Sequence, residues 1–289
     1  MSQTHHVTYQ VRYYECDRHG YVHYANYLRY MQETAFAASE AIGYGEARYT
    51  ALGYQWLAYA TDIEYQSPLH YGETFTVKTW VQDFRRVRSL RNYEFYRDGP
   101  RIAHAATDWV FIDLKTLRPV TVLPEIVAAY AQGDPVETAP RNDPLPSSEP
   151  PESAFALRRR VEWRDIDAAG HVNNAIYAHF AEDCGLQAQQ AYGWPVTRLD
   201  ETGCRIVAAR QRIEYKSPAR LNDELAITTW LSHVEPTSML RHYLIRRGSD
   251  GQLLTQIRTI YRWVDAQTYA PVDIPQVYRD DLAANTAHG

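Results

Sequence analysis

Two aspartates with matching surroundings are the residues whose type and spacing could do chemistry. Asp17 precedes Gly20 by three residues, and Asp167 precedes Gly170 by the same interval. About seven residues after each aspartate, an apolar pattern typical of a helix begins. A carboxylate can attack a carbonyl carbon or activate a water molecule. Because a helix start presents unpaired N–H groups and a partial positive charge, a developing oxyanion could be held beside the carboxylate.

These loops also have a structural interpretation, because aspartate is a common N-cap and turn residue. The whole Asp-x-x-Gly-x-Val set occurs twice, which favours function, although duplication could also preserve a structural cap twice. His19 and His23 lie four residues apart, a spacing that suits a metal on a helix, but no third ligand is evident and Gly20 favours a loop. We therefore expect neither a metal ion nor a cofactor.

The chain repeats itself at a shift of 150 residues, so it contains two copies of one module. After a two-residue insertion the shift becomes 152, and Thr107 then corresponds to Thr259. The repeated segments include Ile63-Glu-Tyr-x-Ser-Pro68 and Ile213-Glu-Tyr-x-Ser-Pro218, Thr79-Trp80 and Thr229-Trp230, and Leu90-Arg-x-Tyr93 and Leu240-Arg-x-Tyr243.

The hydrophobic pattern predicts the same order of elements in each copy, namely a strand, a loop, a long helix, four strands and a closing helix. This order is typical of an α+β fold with an antiparallel meander. The predicted segments are first strands at roughly Val7 to Tyr14 and Leu157 to Arg164, a helix from Tyr24, strands at Gln55 to Gln66, Thr74 to Asp83, Ser89 to Tyr96 and Arg101 to Leu114, and closing helices at Pro124 to Gln132 and Pro275 to Ala284.

Proline marks the boundary between the copies. The segment Gly133 to Ser153 holds six prolines, and proline removes backbone donors and disfavours helix. We therefore predict a first domain at 1–132, a proline-rich linker at 133–153 and a second domain at 154–289.

Composition excludes several classes of protein. A chain of 289 residues is long enough for about two domains, and its net charge of −5 argues against a nucleic-acid-binding protein. No run approaches the ~20 apolar residues of a membrane span, and Met1 to His6 lacks the features of a secretory signal. Three cysteines without a Cys-x-x-Cys pair exclude a disulfide framework. We expect a cytoplasmic protein without nucleic-acid or membrane partners.

At these loops the sequence resembles the hotdog-fold acyl thioesterases of the 4-hydroxybenzoyl-CoA thioesterase-like superfamily. The resemblance rests on Asp-Arg-His-Gly-Tyr-Val-His-Tyr-Ala-Asn-Tyr-Leu at 17–28 and Asp-Ile-Asp-Ala-Ala-Gly-His-Val-Asn-Asn-Ala-x-Tyr at 165–177, and it covers nearly all of both halves. The segments at 32–35 and 72–81 are similar to the fused double-hotdog form found in acyl-[acyl-carrier-protein] thioesterases.

The resemblance implies a tandem double hotdog, with two long helices each wrapped by an antiparallel sheet. It also implies that the two hotdogs pair within one chain as a pseudo-dimer, with acyl-thioester sites at their interface. A homodimer of the chain, with four hotdogs in all, is compatible with this architecture.

The implied activity is hydrolysis of acyl-CoA or acyl-[acyl-carrier-protein] thioesters to free acid and thiol, without a cofactor. Asp17 and Asp167 fall where the family has its catalytic aspartate, acting as nucleophile or general base. The backbone N–H near Tyr24, and its mate near Asn174, would polarise the thioester carbonyl. Positioning candidates are Gly20, His23, Tyr24, Gly170, His171, Asn173 and Asn174, and secondary candidates are His19, Glu33 and Glu182.

The second half departs from the plant-type enzymes, whose active half carries Asp-x-Asn-x-His and a later glutamate. Ala169 replaces that asparagine, and the region of Ser217-Pro218 offers no glutamate. We therefore expect both halves to be competent. Two alternatives stay open, an enoyl-thioester hydratase or dehydratase and a non-catalytic acyl-thioester binding module. The hydratase would need a helix-borne histidine paired with an acid, and neither copy has a clear one.

Overall fold

The computed structural model describes residues 3–132 and 138–287. Contacts between residues divide the chain into two compact units, Met1–Asp143 and Pro144–Gly289. Within the described ranges, no helix is both long enough and apolar enough to cross a bilayer.

The first unit is an antiparallel sheet with one long helix. Its elements are β1 (His5–Gln10), a 3-10 turn (Tyr13–Glu15), α1 (Tyr24–Ala41), α2 (Glu46–Leu52), β2 (Tyr54–Tyr65), β3 (Thr74–Arg85), β4 (Arg88–Tyr96), β5 (Arg101–Asp113), β6 (Arg118–Pro119) and α3 (Pro124–Tyr130). The strand order is β1-β3-β4-β5-β2, with β6 on β5, and all these neighbours are antiparallel.

The second unit repeats this arrangement. Its elements are β7 (Phe155–Arg160), a 3-10 turn (Trp163–Asp165), α4 (Ile176–Ala191), α5 (Val196–Glu201), β8 (Cys204–Tyr215), β9 (Glu224–Ser232), β10 (Ser238–Arg247), β11 (Leu253–Asp265), α6 (Gln276–Asp281) and a last 3-10 turn (Ala283–Asn285). The strand order is β8-β11-β10-β9-β7, again antiparallel. The predicted α+β class and antiparallel sheet are therefore confirmed. The predicted four-strand meander is confirmed only for its last three strands, because β2 lies beside β5 and β8 lies beside β11.

The long helices pack on the sheets through small and apolar residues. In α1 the buried positions include Leu28, Met31, Ala35 and Ala38, which recur at helical spacing on one face. This helix contacts β1 and β3, whereas α4 contacts β7, β9 and β11. Because each helix lies along its sheet, the loop before the helix is held at one end of that sheet.

Local chemistry explains where the structure differs from the predicted elements. The first strands were predicted to reach Tyr14 and Arg164, but they end at Gln10 and Arg160. A 3-10 turn follows in each unit, because the acid at its third residue accepts the backbone N–H ahead of the turn. The Arg12 N–H donates to Glu15 at 2.7 Å, and the Glu162 N–H donates to Asp165 at 2.8 Å.

The short helices α2 and α5 were not predicted at all. Six or seven residues are too few for a clear helical period, and tertiary packing stabilises helices of this length. The buried side chains of Tyr49 in α2 and Leu199 in α5 supply that packing.

The predicted linker at 133–153 falls partly outside the described residues, because 133–137 are not among them. Residues 138–151 form neither helix nor strand. In the first unit the Ala139 N–H donates to the Gln82 side chain, and Arg141 pairs with Asp108 at 3.1 Å. In the second unit the Arg258 guanidinium donates to the Leu145 carbonyl.

Candidate active site

In the first unit Asp17 begins a tight turn between the 3-10 turn and α1. The Asp17 N–H donates to the Tyr21 carbonyl at 2.8 Å, and the Gly20 N–H donates to the Asp17 carbonyl at 3.0 Å. Gly20 has a φ of 83°, a region that glycine enters without steric cost. The turn therefore explains the three-residue spacing, because it closes on the Asp17 carbonyl at a residue whose positive φ suits glycine.

The Asp17 carboxylate is held by its own loop. Its Oδ1 accepts the backbone N–H of His19 at 2.8 Å and that of Tyr21 at 3.1 Å. Among the described residues no donor reaches Oδ2, and the side chain is only partly buried. One oxygen thus orients the carboxylate, while the other is available to a substrate or a water molecule.

The start of α1 is tied to the same loop. His23 is the N-cap, and its Nδ1 accepts the Ala25 N–H at 3.2 Å, which assigns the ring proton to Nε2. The Asn26 side chain donates to the Glu15 carbonyl at 2.8 Å, and the Tyr65 hydroxyl donates to the Tyr24 carbonyl at 3.2 Å. These bonds fix the first helical residue, Tyr24, against the turn that carries Asp17.

The second unit builds an equivalent turn around Asp167. The Gly170 N–H donates to the Asp167 carbonyl at 3.0 Å, and Gly170 has a φ of 76°. Here both carboxylate oxygens accept hydrogen bonds. Oδ1 takes the Ala169 N–H at 2.9 Å, and Oδ2 takes the Asn173 side-chain amide at 3.1 Å.

The start of α4 is capped twice. The Ala175 N–H lies 3.0 Å from Asn173 Oδ1 and 3.1 Å from Asn174 Oδ1. The Tyr215 hydroxyl donates to the Asn174 carbonyl at 3.1 Å, as Tyr65 does to Tyr24 in the first unit. In the part of the chain that the structure describes, the Asn174 N–H has no acceptor.

The remaining candidates lie in two kinds of place. The positioning candidate His171 lies in the Asp167 turn, with its Nδ1 3.3 Å from the Val172 carbonyl, and the secondary candidate His19 contributes its backbone N–H to the Asp17 turn. Glu33 is exposed on α1, about 13 Å along the helix axis from its first residue, and Glu182 lies about 9 Å along α4. Neither helix acid shares a turn with the loop aspartate of its own unit.

Three kinds of residue that hold this site together are not among the residues predicted from the sequence. They are the acid of the 3-10 turn, the amide of Asn26 and the tyrosine of β2 or β8. Glu15 also accepts the Tyr30 hydroxyl at 2.6 Å, and burial followed by this bond raises the pKa of Tyr30. The sequence contains a signal for the tyrosines, since Tyr65 and Tyr215 belong to the repeated Ile-Glu-Tyr segment, and for the turn acids, since Glu15 and Asp165 lie at the 150-residue shift, but Asn26 has no matching residue.

Comparison with known proteins assigns both halves to thioesterases. Residues 2–130 match the acyl-ACP thioesterase N-terminal domain, and residues 161–284 match the thioesterase-like superfamily. A "Putative acyl-CoA thioesterase YneP" from Bacillus subtilis is 30% identical over 112 residues, which are 38% of this chain and 81% of that protein.

Two solved structures resemble the fold over most of the chain. An "oleoyl thioesterase (putative)" from Lactobacillus plantarum superposes with a TM-score of 0.78 at 21% identity, covering 90% of this chain and 96% of that one. An acyl-ACP thioesterase from Bacteroides thetaiotaomicron VPI-5482 superposes with a TM-score of 0.69, also at 21% identity, covering 90% and 98%. The sequence matches show the family to which the chain belongs, and these superpositions show its fold. The chain therefore belongs to the acyl-CoA and acyl-ACP thioesterases, a family of thioester hydrolases with the hotdog fold.

Proposed function

We propose that this chain hydrolyses acyl-CoA or acyl-[acyl-carrier-protein] thioesters to a free acid and a thiol, and that Asp17 and Asp167 carry the reaction. The observation that supports this most is the repeated geometry of the two loops. In each unit a carboxylate oriented by backbone N–H groups lies in a glycine turn just ahead of a helix of 18 or 16 residues. We also propose that each half is one complete hotdog domain, joined by the segment 133–153.

The helix start supplies the electrophilic side of the proposed site. The thioester carbonyl oxygen gains negative charge in the transition state, and a backbone N–H aimed at it stabilises that charge by about 3–4 kcal/mol in a dry site. In the second unit the Asn174 N–H is the proposed donor, which is supported by its lack of an acceptor among the described residues. Tyr24 is the matching position in the first unit.

The aspartate completes the reaction by one of two routes. As a nucleophile, the carboxylate attacks the carbonyl carbon, the carbon–sulfur bond breaks, and water then cleaves the acyl-aspartyl anhydride. As a general base, the carboxylate takes a proton from water, the resulting hydroxide attacks the carbonyl, and the proton passes to the departing sulfur. Both routes need an ionised carboxylate with one accessible oxygen.

The test is a hydrolysis panel with the purified full-length chain. We expect thiol release from a set of acyl-CoAs and acyl-carrier proteins of differing chain length, measured with a thiol reagent. Crotonyl-CoA hydration is assayed in parallel, because a hydratase would consume the double bond and leave the thioester intact. Hydration without thiol release, or tight acyl-CoA binding without turnover, would contradict the proposal.

A further inference from the structure

In the first unit a second loop, residues 66–73 between β2 and β3, lies against the segment that carries the candidate site. The Val22 N–H donates to the Leu69 carbonyl of this loop at 2.7 Å, and Leu69 is fully buried. Val22 lies between Asp17 and Tyr24, the two residues that the proposed reaction uses. The loop therefore holds the segment that joins the carboxylate to the start of the helix.

Arg97 holds this loop in place. Residues 66–73 form neither helix nor strand, so side chains must fix their backbone. Arg97 follows β4, and its Nη1 donates to the Pro68 carbonyl and to Glu73 Oε2, both at 2.8 Å. Glu73 Oε2 also accepts the His70 N–H at 2.8 Å. Arg97 and Glu73 together form a loop clamp, which fixes the residues on both sides of the buried leucine.

The second unit has a loop clamp made of Arg247 and Asp223. Arg247 ends β10, and it donates through Nη2 to the Pro218 carbonyl at 3.1 Å and through Nε to Asp223 Oδ2 at 3.2 Å. Asp223 Oδ2 also accepts the Arg220 N–H at 2.9 Å. The contacts therefore match those of the first unit, although they start from different nitrogens of the guanidinium.

The residue inside the second loop clamp also holds the site segment. The Ala219 carbonyl accepts the Val172 N–H at 2.9 Å, and Ala219 is fully buried. The Ala219 N–H donates to the Tyr177 hydroxyl of α4, also at 2.9 Å. Val172 lies between Asp167 and Asn174, as Val22 lies between the two site residues of the first unit.

Stability alone does not explain why both units have a loop clamp. The Arg97–Glu73 pair is 26% and 31% exposed, and ion pairs with this much exposure add little to stability. What the two loop clamps share is the carbonyl that they hold. In each unit it belongs to the proline directly before the residue that binds the site segment.

We propose that Arg97 and Arg247 are positioning residues of the two candidate sites. Each guanidinium fixes a loop, the loop carbonyl fixes a valine N–H, and the valine keeps the carboxylate and the helix-start N–H at a constant separation. The thioester carbonyl must reach both groups at once, and a displacement of about 1 Å can slow an enzyme by about 100-fold. The inference rests on the proposed function, because the two arginines act on that reaction.

The experiment measures each half by itself. In an Asp167→Asn background only the first half should turn over, and there we expect Arg97→Met to lower kcat by about tenfold or more, with KM changed by less than about twofold. In an Asp17→Asn background, which reports on the second half, Arg97→Met should leave kcat unchanged. Arg247→Met should give the opposite pattern. An equal loss in both halves would overturn the proposal.

Lysine variants test the contacts themselves. Both bonds of Arg97 leave from one nitrogen, so a lysine ammonium can donate to the same two oxygens. Arg247 uses two different nitrogens, which a single ammonium cannot replace. We expect Arg97→Lys to restore most of the kcat lost in Arg97→Met, and Arg247→Lys to restore little. Recovery in the opposite order would contradict the role of the loop clamps.

Arg198→Met is the matched control in the second unit. Arg198 also donates to a backbone carbonyl, that of Gly193 at 2.8 Å, and to a carboxylate, that of Asp281 at 3.3 Å. Gly193 lies beyond the end of α4, about 24 Å along the helix from its start. This variant should therefore keep the kcat of the second half, and a loss as large as that in Arg247→Met would overturn the proposal.

Hydrogen exchange of the full chain without substrate separates this inference from the proposed function. We expect the Val22 amide to exchange about tenfold faster in Arg97→Met, and the Val172 amide in Arg247→Met. If the double aspartate variant keeps the wild-type rate, the proposed function fails, whereas the exchange result still shows whether the arginines fix the site segments. Unchanged exchange, or an unchanged kcat in the half that carries the substitution, would overturn the positioning role.

Discussion

Asn173 holds Asp167 and the first turn of α4 with a single side chain. Its amide N–H donates to the carboxylate, and its carbonyl oxygen accepts the Ala175 N–H. In an Asp17→Asn background, where only the second half should turn over, we predict that Asn173→Ala lowers kcat by about tenfold, a loss typical of a missing charged hydrogen bond. Because Asn174 Oδ1 still accepts the Ala175 N–H, the variant should be destabilised by less than the ~1 kcal/mol of a fully lost cap.

The variant Asn173→Asp separates the hydrogen bond to Asp167 from the capping of α4. An aspartate keeps an oxygen for the Ala175 N–H, but it replaces the donor to Asp167 with a second negative charge. We expect normal thermal stability and a kcat at least as low as that of Asn173→Ala. Full turnover in Asn173→Asp would show that the hydrogen bond to Asp167 has no role in positioning the carboxylate.

His242 makes stability depend on pH. Its Nε2 shares a hydrogen bond of 2.7 Å with Ser232, and its ring stacks on Trp230. Burial, together with the nearby charges of Arg258 and His233, lowers the pKa of His242 from 6.5 to about 4. Between these values the unfolded chain binds the proton and the folded chain does not, so stability falls as the pH drops through this window, by about 3 kcal/mol in total.

Asn92 occupies the position of His242 in the first half, which makes His242→Asn the matched variant. We predict that the difference in unfolding free energy between wild type and variant changes by about 3 kcal/mol from neutral pH to about pH 4. Urea unfolding at several pH values measures this difference. A difference that stays constant across the range would contradict the assigned pKa.

At the scale of elements, Gly185 sets how closely α4 approaches its sheet. A Cβ atom at this position would lie 2.7 Å from the Tyr243 hydroxyl oxygen. Alanine favours a helix over glycine by about 1 kcal/mol, but a buried tyrosine ring cannot move aside easily. We therefore predict that Gly185→Ala lowers the thermal midpoint, and that adding Tyr243→Phe, which removes the hydroxyl, restores it. A midpoint raised by Gly185→Ala alone would contradict the tight contact.

The sequence predicts elements well wherever a local period or turn pair dictates them. The burial of Phe75, Val77 and Thr79 alternates along β3 as the pattern indicates. Asp98-Gly99 turns the chain between β4 and β5, with both residues at positive φ. The 3-10 turn at Tyr13–Glu15 was not predicted, because two backbone hydrogen bonds and one side-chain cap form it over three residues, which are too few to show a period.

At the scale of the whole molecule, the repeat predicts two similar units, and the structure shows the same order of elements in each. The contacts of the candidate site could be predicted less completely from the sequence than the two units could. The Asp-x-x-Gly spacing locates the turn, but Tyr65 reaches the helix start from 41 residues away, a contact that only the fold creates. The pairing of halves and the association of two chains stay predictions.

The catalytic role of the two aspartates is best measured by thiol release from one preferred acyl substrate, using the wild type, Asp17→Asn, Asp167→Asn and the double variant. Asparagine keeps an oxygen for the backbone N–H groups of His19 or Ala169 but removes the negative charge. We predict that each single variant keeps the activity of the other half, and that the rate of the double variant falls by orders of magnitude. A double variant that hydrolyses the thioester at the wild-type rate would contradict the catalytic role of Asp17 and Asp167.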